Sequence, residues 1–146
     1  MTTPSMPTDH SGLGVLSTPE CVDRLSRARV GRLAVIHNGE PLILPVNHEM
    51  DGEAVVFRTA EGTKLSAALD QAPVSFEVDS FDVDRRAGWS VVVRGVANVV
   101  DDPAQIARLE QLGVWPWADA VERTNWVRIR PYEITGRQVI HRSSPT

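Results

Sequence analysis

The sequence is poor in several residues and motifs on which common chemistries depend. One cysteine, Cys21, in 146 residues excludes an internal disulfide framework and fits a reducing compartment. The histidines are His10, His37, His48 and His141, and no two show HxH or HExxH spacing, so no metal site is expected. GxSxG, which would present a serine nucleophile, and GxGxxG, the Rossmann dinucleotide fingerprint, are both missing. No apolar run approaches the ~18–20 residues needed to cross a bilayer. The net charge of −4 and pI near 5.5 lack the basic footprint of a nucleic-acid protein. These absences predict a soluble, cytoplasmic protein with no membrane or nucleic-acid partner and no metal.

The balance of 42% hydrophobic and 23% charged residues is that of an ordinary globular chain, long enough for one domain with a full core. Residues 1–14 are rich in Ser, Thr, Pro and Gly, lack the apolar centre of a signal peptide, and read as a disordered arm. The domain is expected over 15–142, with a polar tail at 143–146. A first helix is predicted with Thr18 as N-cap and Pro19 at the first helical position, its apolar face carrying Val22, Leu25 and Ala28. Cys21 lies beside that face and reads as a small core residue.

From Gly31 the period changes to that of strands. Arg32–His37, Glu40–Met50 and Glu53–Thr59 are extended runs separated by Asn38-Gly39 and Asp51-Gly52, the turn signals of an antiparallel meander. Pro41 and Pro45 remove ladder donors from the middle run, which predicts an edge, a bulge or a backbone close to a ligand. After a second helix, Val74–Val78 reads as a short strand, Asp79–Arg86 as a polar loop, and Trp89–Val100 as the longest strand. Asp102-Pro103 starts a third helix bearing Ile106, Leu109 and Leu112, and Gly113 stops it. An aromatic segment, Trp115-Pro116-Trp117, precedes two last strands, Trp126–Arg130 and Glu133–His141, with Pro131 between them. The sum is a mainly β protein: a small antiparallel barrel of six or seven strands with about three peripheral helices.

Phe57–Leu69 carries the clearest chemistry. A strand ends in Arg58 and Thr59, and a helical pattern begins after Thr63 and Lys64. Two cations beside hydroxyls and a helix start suit a phosphate, although a capped helix with solvated cations has the same pattern. Trp89, Trp115, Trp117 and Trp126 read first as core or subunit contacts, and equally suit a planar aromatic ligand. No residue stands out as an obligatory general acid or base. His48 is the candidate, and a strand-end structural role explains it as well.

Taken in order, Gly31–Val35, Pro45-Val46-Asn47, Phe57–Lys64, Gly88–Val91 and Ile134–Arg137 resemble the pyridoxamine 5′-phosphate oxidase-like, FMN-binding split-barrel family. The resemblance is to its small single-domain branch, which includes nitroimidazole-resistance relatives, and it spans roughly Pro19 to Ile140. It implies a Greek-key split barrel that dimerises, with FMN in clefts between the subunits and a small-molecule substrate. It places the cofactor phosphate at Arg58, Thr59, Thr63 and Lys64, and the flavin ring along Leu44, Pro45, Val46 and Asn47. Trp89 and Ser90 on the facing strand, with Arg137 and Trp126 from the C-terminal region, complete the implied set. The family's C-terminal arginine–histidine substrate motif is matched only loosely by Arg137–Arg142, which does not support pyridoxamine phosphate as substrate. The implied activity is a flavin-dependent oxidoreductase. Relatives that use a deazaflavin, or haem or another tetrapyrrole, supply the alternatives: a deazaflavin-dependent reductase, or a non-catalytic carrier.

Overall fold

The computed structural model describes residues 6–60, 63–114 and 124–141. The aromatic segment at 115–117, the loop glycine Gly62 and the 143–146 tail lie outside them. The elements run β1 (Gly14–Val15), α1 (Thr18–Arg27), β2 (Val30–His37), β3 (Glu40–Asn47), β4 (Glu49–Asp51), β5 (Ala54–Ala60), α2 (Lys64–Ala68), β6 (Ala72–Asp82), β7 (Ala87–Val100), α3 (Pro103–Glu110) and β8 (Thr124–Gln138).

The eight strands form one antiparallel sheet in the order β3-β2-β6-β7-β8-β5-β4, with β1 added to β8. β3 and β4 follow one another in the chain yet stand at opposite ends of that order. The run Glu40–Met50 therefore reaches both edges of the sheet and curls it into a barrel that remains split along one line. This replaces the expected three-strand meander. The run breaks at His48, whose N–H donates to the Arg29 carbonyl instead of to a ladder. Its first half pairs with β2 and its second with β5. The break, together with the short β1, raises the strand number above the expected six or seven. β3 is an edge strand, as its two prolines predict.

Side chains alternate across the sheet. Leu33 and Val35, Val74, Phe76 and Val78, Val91 and Val93, and Val55 and Phe57 point inward and are buried. α1 adds Cys21 and Leu25 to that core. Its cap is Ser17, not Thr18: the Ser17 hydroxyl accepts from the Glu20 N–H at 3.3 Å, and the Glu20 carboxylate accepts from the Ser17 N–H at 3.4 Å. Only Ser17 stands three residues before a glutamate, so only it can close a capping box. α3 begins after Asp102 as predicted and packs Leu109 outside the barrel, on Val56, Val100, Val114 and Trp126.

Of the two predicted turns, Asn38 and Gly39 both have positive φ (52° and 77°), whereas at the second only Gly52 does (63°). The expected short strand at 74–78 and the first half of the expected loop at 79–86 are instead one strand, β6, paired with β7 as far as Asp82↔Ala87, and only residues 83–86 form the turn. The period-2 pattern of Ser75, Glu77 and Asp79 simply continues on the outer face. The last two expected strands are likewise one. β8 has 15 residues, one more than β7 with 14, so it is the longest strand. Its register shifts between Gly95↔Pro131 and Arg94↔Glu133, leaving Tyr132 as a bulge. Proline lacks a ladder donor, and a bulge accommodates it. A Cβ on Gly95 would lie 2.3 Å from the Arg130 carbonyl oxygen, so only glycine fits that close approach.

Candidate functional site

The expected phosphate residues sit where β5 ends. Neighbours on a strand face opposite ways, so Arg58 and Thr59 part company. Arg58 turns outward over the Trp126 ring, 5.3 Å from its centroid. Its Nε donates to the Thr124 hydroxyl at 2.8 Å and its Nη1 to the Val114 carbonyl at 3.3 Å. Thr59 turns inward, and its buried hydroxyl has no hydrogen-bond partner among the described residues. An orphaned buried hydroxyl costs folding free energy unless a ligand or water satisfies it. The Thr63 hydroxyl accepts from the Ser66 N–H at 3.0 Å and donates to the Ala60 carbonyl at 3.1 Å, capping α2. Lys64 opens that helix. Trp126 is buried, and its Nε1–H donates to the Glu110 carboxylate at 3.0 Å.

Three other expected residues converge elsewhere. Trp89, Ser90 and Arg137 line a cavity of about 370 Å³ together with Leu13, Glu77, Asp79 and Phe81. That volume falls within the ~300–1,000 Å³ range of small-molecule sites. Ser90 and Arg137 are cross-strand partners on β7 and β8. The Arg24 guanidinium lies 5.1 Å from the Trp89 ring centroid and donates to the Gln138 side-chain amide oxygen Oε1 at 3.0 Å. Arg137 donates from Nε to the Asp9 carboxylate at 3.0 Å. Arg32 bridges Glu77 and Asp79 at 3.1 and 2.8 Å. Burial raises the Glu77 pKa, the adjacent Asp79 carboxylate adds to the rise, and Arg32 only partly offsets both.

Leu44, Pro45, Val46 and Asn47 form the end of edge strand β3. Val46 is buried, Leu44 is half-buried on the same inward face, and Pro45 is exposed. Pro45 pairs with Arg32, which pairs on its other side with Glu77 of the cavity. This group therefore flanks the cavity across two strands, about 10 Å away at the usual interstrand spacing. The Arg58 group is far from it. Trp126 pairs with Val100 and Arg137 with Ser90, which puts the two places ten residues apart on β7, about 33 Å along the strand.

His48 is not placed for acid–base work. It is buried, its Nε2 donates to the Leu25 carbonyl at 2.9 Å, and its ring meets the Phe76 ring edge-on at 4.8 Å. Burial holds its pKa below the usual histidine value, so the ring is neutral and ties α1 to the β3–β4 break. Cys21 is a buried core residue, and burial raises its pKa. Among the described residues there is no cluster of metal-ligating side chains and no helix long and apolar enough to cross a membrane. Glu77 and Asp79 were missed as cavity groups because Glu77 read as an ordinary strand residue and Asp79–Arg86 as a loop, and the Asp9 contact with Arg137 was missed because 1–14 read as an arm. The arm's residues 6–13 in fact fold against the sheet, with Thr8 bridged to Gly14.

The model of a family described as pyridoxamine 5′-phosphate oxidase matches residues 17–138. Among solved structures, the FAD binding protein from Mycobacterium smegmatis is 41% identical, with a TM-score of 0.74 over 86% of this chain and 99% of that one. A Corynebacterium glutamicum protein assigned as a pyridoxamine 5′-phosphate oxidase is 39% identical, with a TM-score of 0.76 over 87% and 98% of the two chains. An uncharacterised protein of Mycobacterium tuberculosis is 35% identical over 130 residues, covering 86% of this chain and 84% of its own.

Proposed function

The chain belongs to the pyridoxamine 5′-phosphate oxidase family, and from that membership we propose that it is a flavin-dependent oxidoreductase acting on a small molecule. It works as a homodimer whose subunits share each cofactor site. The observation that carries this reading is the separation of about 33 Å along β7 between the Arg58 group and the Trp89–Arg137 cavity. One flavin cannot touch both ends of one subunit. A second copy, running antiparallel, brings the cavity end of one subunit to the Arg58 end of the other. Ile36, Ile43 and Tyr132 lie exposed on the sheet's outer face, and a second copy would cover them.

FMN is the proposed cofactor, and FAD, bound by the 41%-identical relative, is the second reading. A deazaflavin is the third. Bound flavin supplies the hydride and electron chemistry. Lys64 at the start of α2 and Arg58, from the opposite face of β5, supply charge toward the phosphate, with the Thr63 edge of α2 and the Thr59 hydroxyl, unpartnered among the described residues, on the inward side. The β3 edge from Leu44 to Asn47 positions the ring, Trp89 excludes water beside it, and Ser90 and Arg137 face the substrate. No side chain of this chain is required as general acid or base, and the catalytic residues are unassigned.

The test is the absorption spectrum of the purified protein, with identification of the extracted ligand. Flavin bands, or uptake of added FMN, FAD or deazaflavin, support the reading. A colourless protein that takes up none of them sinks it. Turnover with a reduced nicotinamide separates an enzyme from a carrier. Lys64→Ala should weaken FMN binding by about 1.5–3 kcal/mol, roughly ten- to a hundredfold, with little effect on folding. Unchanged affinity would place the phosphate elsewhere.

A further inference from the structure

One wall of the cavity comes from the segment that precedes α1. Residues 7–15 double back on themselves: the Val15 N–H donates to the Pro7 carbonyl at 2.7 Å, and the Asp9 N–H to the Leu13 carbonyl at 2.8 Å. Asp9 organises the turn. One carboxylate oxygen accepts from the Ser11 and Leu13 N–H groups at 2.9 and 3.0 Å, an arrangement suited to aspartate. The other accepts from Arg137 Nε at 3.0 Å. Leu13 and Arg137 both line the cavity of about 370 Å³, so this hairpin lies at its mouth with its own anion on the cavity's arginine.

The contact differs from a permanent clamp elsewhere in the same molecule. Asp51 engages Arg108 through both oxygens, at 2.7 and 2.8 Å, the paired geometry in which a guanidinium binds carboxylate most strongly. Asp9 offers Arg137 a single oxygen, and Arg137 spends Nη1 on the carbonyl of its own neighbour, Gly136, at 3.0 Å. The Arg137 side chain remains 37% exposed. The hairpin itself is held mainly by local hydrogen bonds and by two residues paired with the end of β8, Gly14↔Gln138 and Val15↔Arg137. Burial would raise the Asp9 pKa, but the two N–H groups and Arg137 overcome it and hold the carboxyl below its ordinary value. The occupant is thus a full anion at neutral pH.

We propose that Arg137 is an anion-exchange site: Asp9 fills it as an internal stand-in, and a phosphate- or carboxylate-bearing ligand that enters the cavity displaces Asp9 and lifts the 7–15 hairpin from the mouth. The inference goes beyond the flavin reading and holds whichever anionic ligand the cavity takes. It also explains why a residue in an otherwise polar, irregular segment is tied to a strand 128 positions away.

The experiment is a titration of the full chain with inorganic phosphate against chloride at equal ionic strength. The arginine Nε–H resonances are followed by NMR, with Arg137→Lys identifying the Arg137 signal by its loss. Phosphate should move that signal and raise hydrogen exchange at the Ser11 and Leu13 amides. Asp9→Asn keeps a carbonyl oxygen for those two amides but removes the competing charge. In it the same shift should appear at about tenfold lower phosphate, the effect of losing one charge-assisted contact. Three results would overturn the proposal: a signal that phosphate does not move, equal phosphate dependence in wild type and Asp9→Asn, or a moved signal with unchanged exchange at Ser11 and Leu13. Because no flavin is used, failure here leaves the flavin reading standing.

Discussion

The β7–β8 pair ends in two contrasting ways. At the Trp126 end α3 lies over the outer face, and the Arg128, Asp51, Arg108 and Trp126 groups on that face are partnered inside the chain. Arg128 is 9% exposed and donates to Asp51 at 2.9 Å and Gln105 at 2.8 Å. Asp51 also binds Arg108, and Trp126 binds Glu110. At the Trp89 end no helix among the described residues covers the outer face, and the same two strands border a cavity in which Arg137 holds one carboxylate oxygen. One amphipathic helix decides the difference. Where Leu109 covers the sheet, the outer face becomes a second core. Where nothing covers it, the outer face stays available to a ligand or a second copy.

The sharpest way to break the contrast is to damage the covered end. Asp51→Ala leaves Arg128 buried without its counter-charge and releases Arg108. Removing one partner of a buried pair costs roughly 3–5 kcal/mol, and the lower end applies because Asp51 is 21% and Arg108 57% exposed. A fall in the urea midpoint with unchanged m-value is the expected result. Arg94→Ala on the open face provides the control. Its pair with Glu133 spans 3.5 Å with side chains 55% and 46% exposed, and such pairs contribute about 0–1 kcal/mol. Equal losses in the two variants would erase the distinction between the ends. Trp126→Phe should come next, at about 1–2 kcal/mol, from the lost Nε1–H bond to Glu110 and the smaller ring.

The covered end was also the less legible in the sequence. Asp102-Pro103 announced α3 and its Leu109, but nothing in a linear pattern says that Asp51 meets Arg128, 77 positions on. The barrel was readable because its causes are local: alternating apolar residues, Asn38-Gly39, and the two prolines of edge strand β3. Two errors share one physical origin. Asp79 looked like loop because it is polar, and Pro131 looked like a break because it cannot donate, yet the neighbouring ladder carries both into longer strands. The residues expected at the site were scattered by the same fold into a strand-end group, a cavity group and the β3 edge that flanks the cavity. Local motifs cannot report that separation, because register between distant strands sets it.

At the open end the expected effects are on binding. Trp89→Ala should weaken flavin binding by about 1 kcal/mol, the scale of one ring contact beyond area burial. Co-expressing Trp89→Ala and Lys64→Ala subunits makes the sharper measurement. If each site takes Lys64 from one subunit and Trp89 from the other, a mixed dimer has one site with both defects and one with neither. Half of its sites then titrate with wild-type affinity. Mixed dimers in which every site is weakened would show that one subunit supplies both residues, against the shared site.

The smallest expected effect tests the seam between the ends, where His48 ties α1 to the β3–β4 break. Its folded pKa lies below the usual 6.5 because it is buried, so the unfolded chain takes up a proton before the folded one does. The stability this group contributes is therefore complete above pH 6.5 and is lost as the pH falls from there through the folded pKa. Asp9 and Asp51, both lowered from 3.8, lose their contributions only in a more acidic range. Glu77, raised from 4.5, acts in the opposite sense, stabilising at low pH. Urea melts between about pH 7 and 5, compared between wild type and a His48 variant, isolate the histidine by difference, because Glu77 contributes equally to both. His48→Gln keeps a donor for the Leu25 carbonyl without titrating, and its stability should fall less over that window than the wild type's. Parallel profiles would mean that His48 takes up a proton in the folded barrel as readily as in the unfolded chain, and its neutral, structural role would then have to be abandoned.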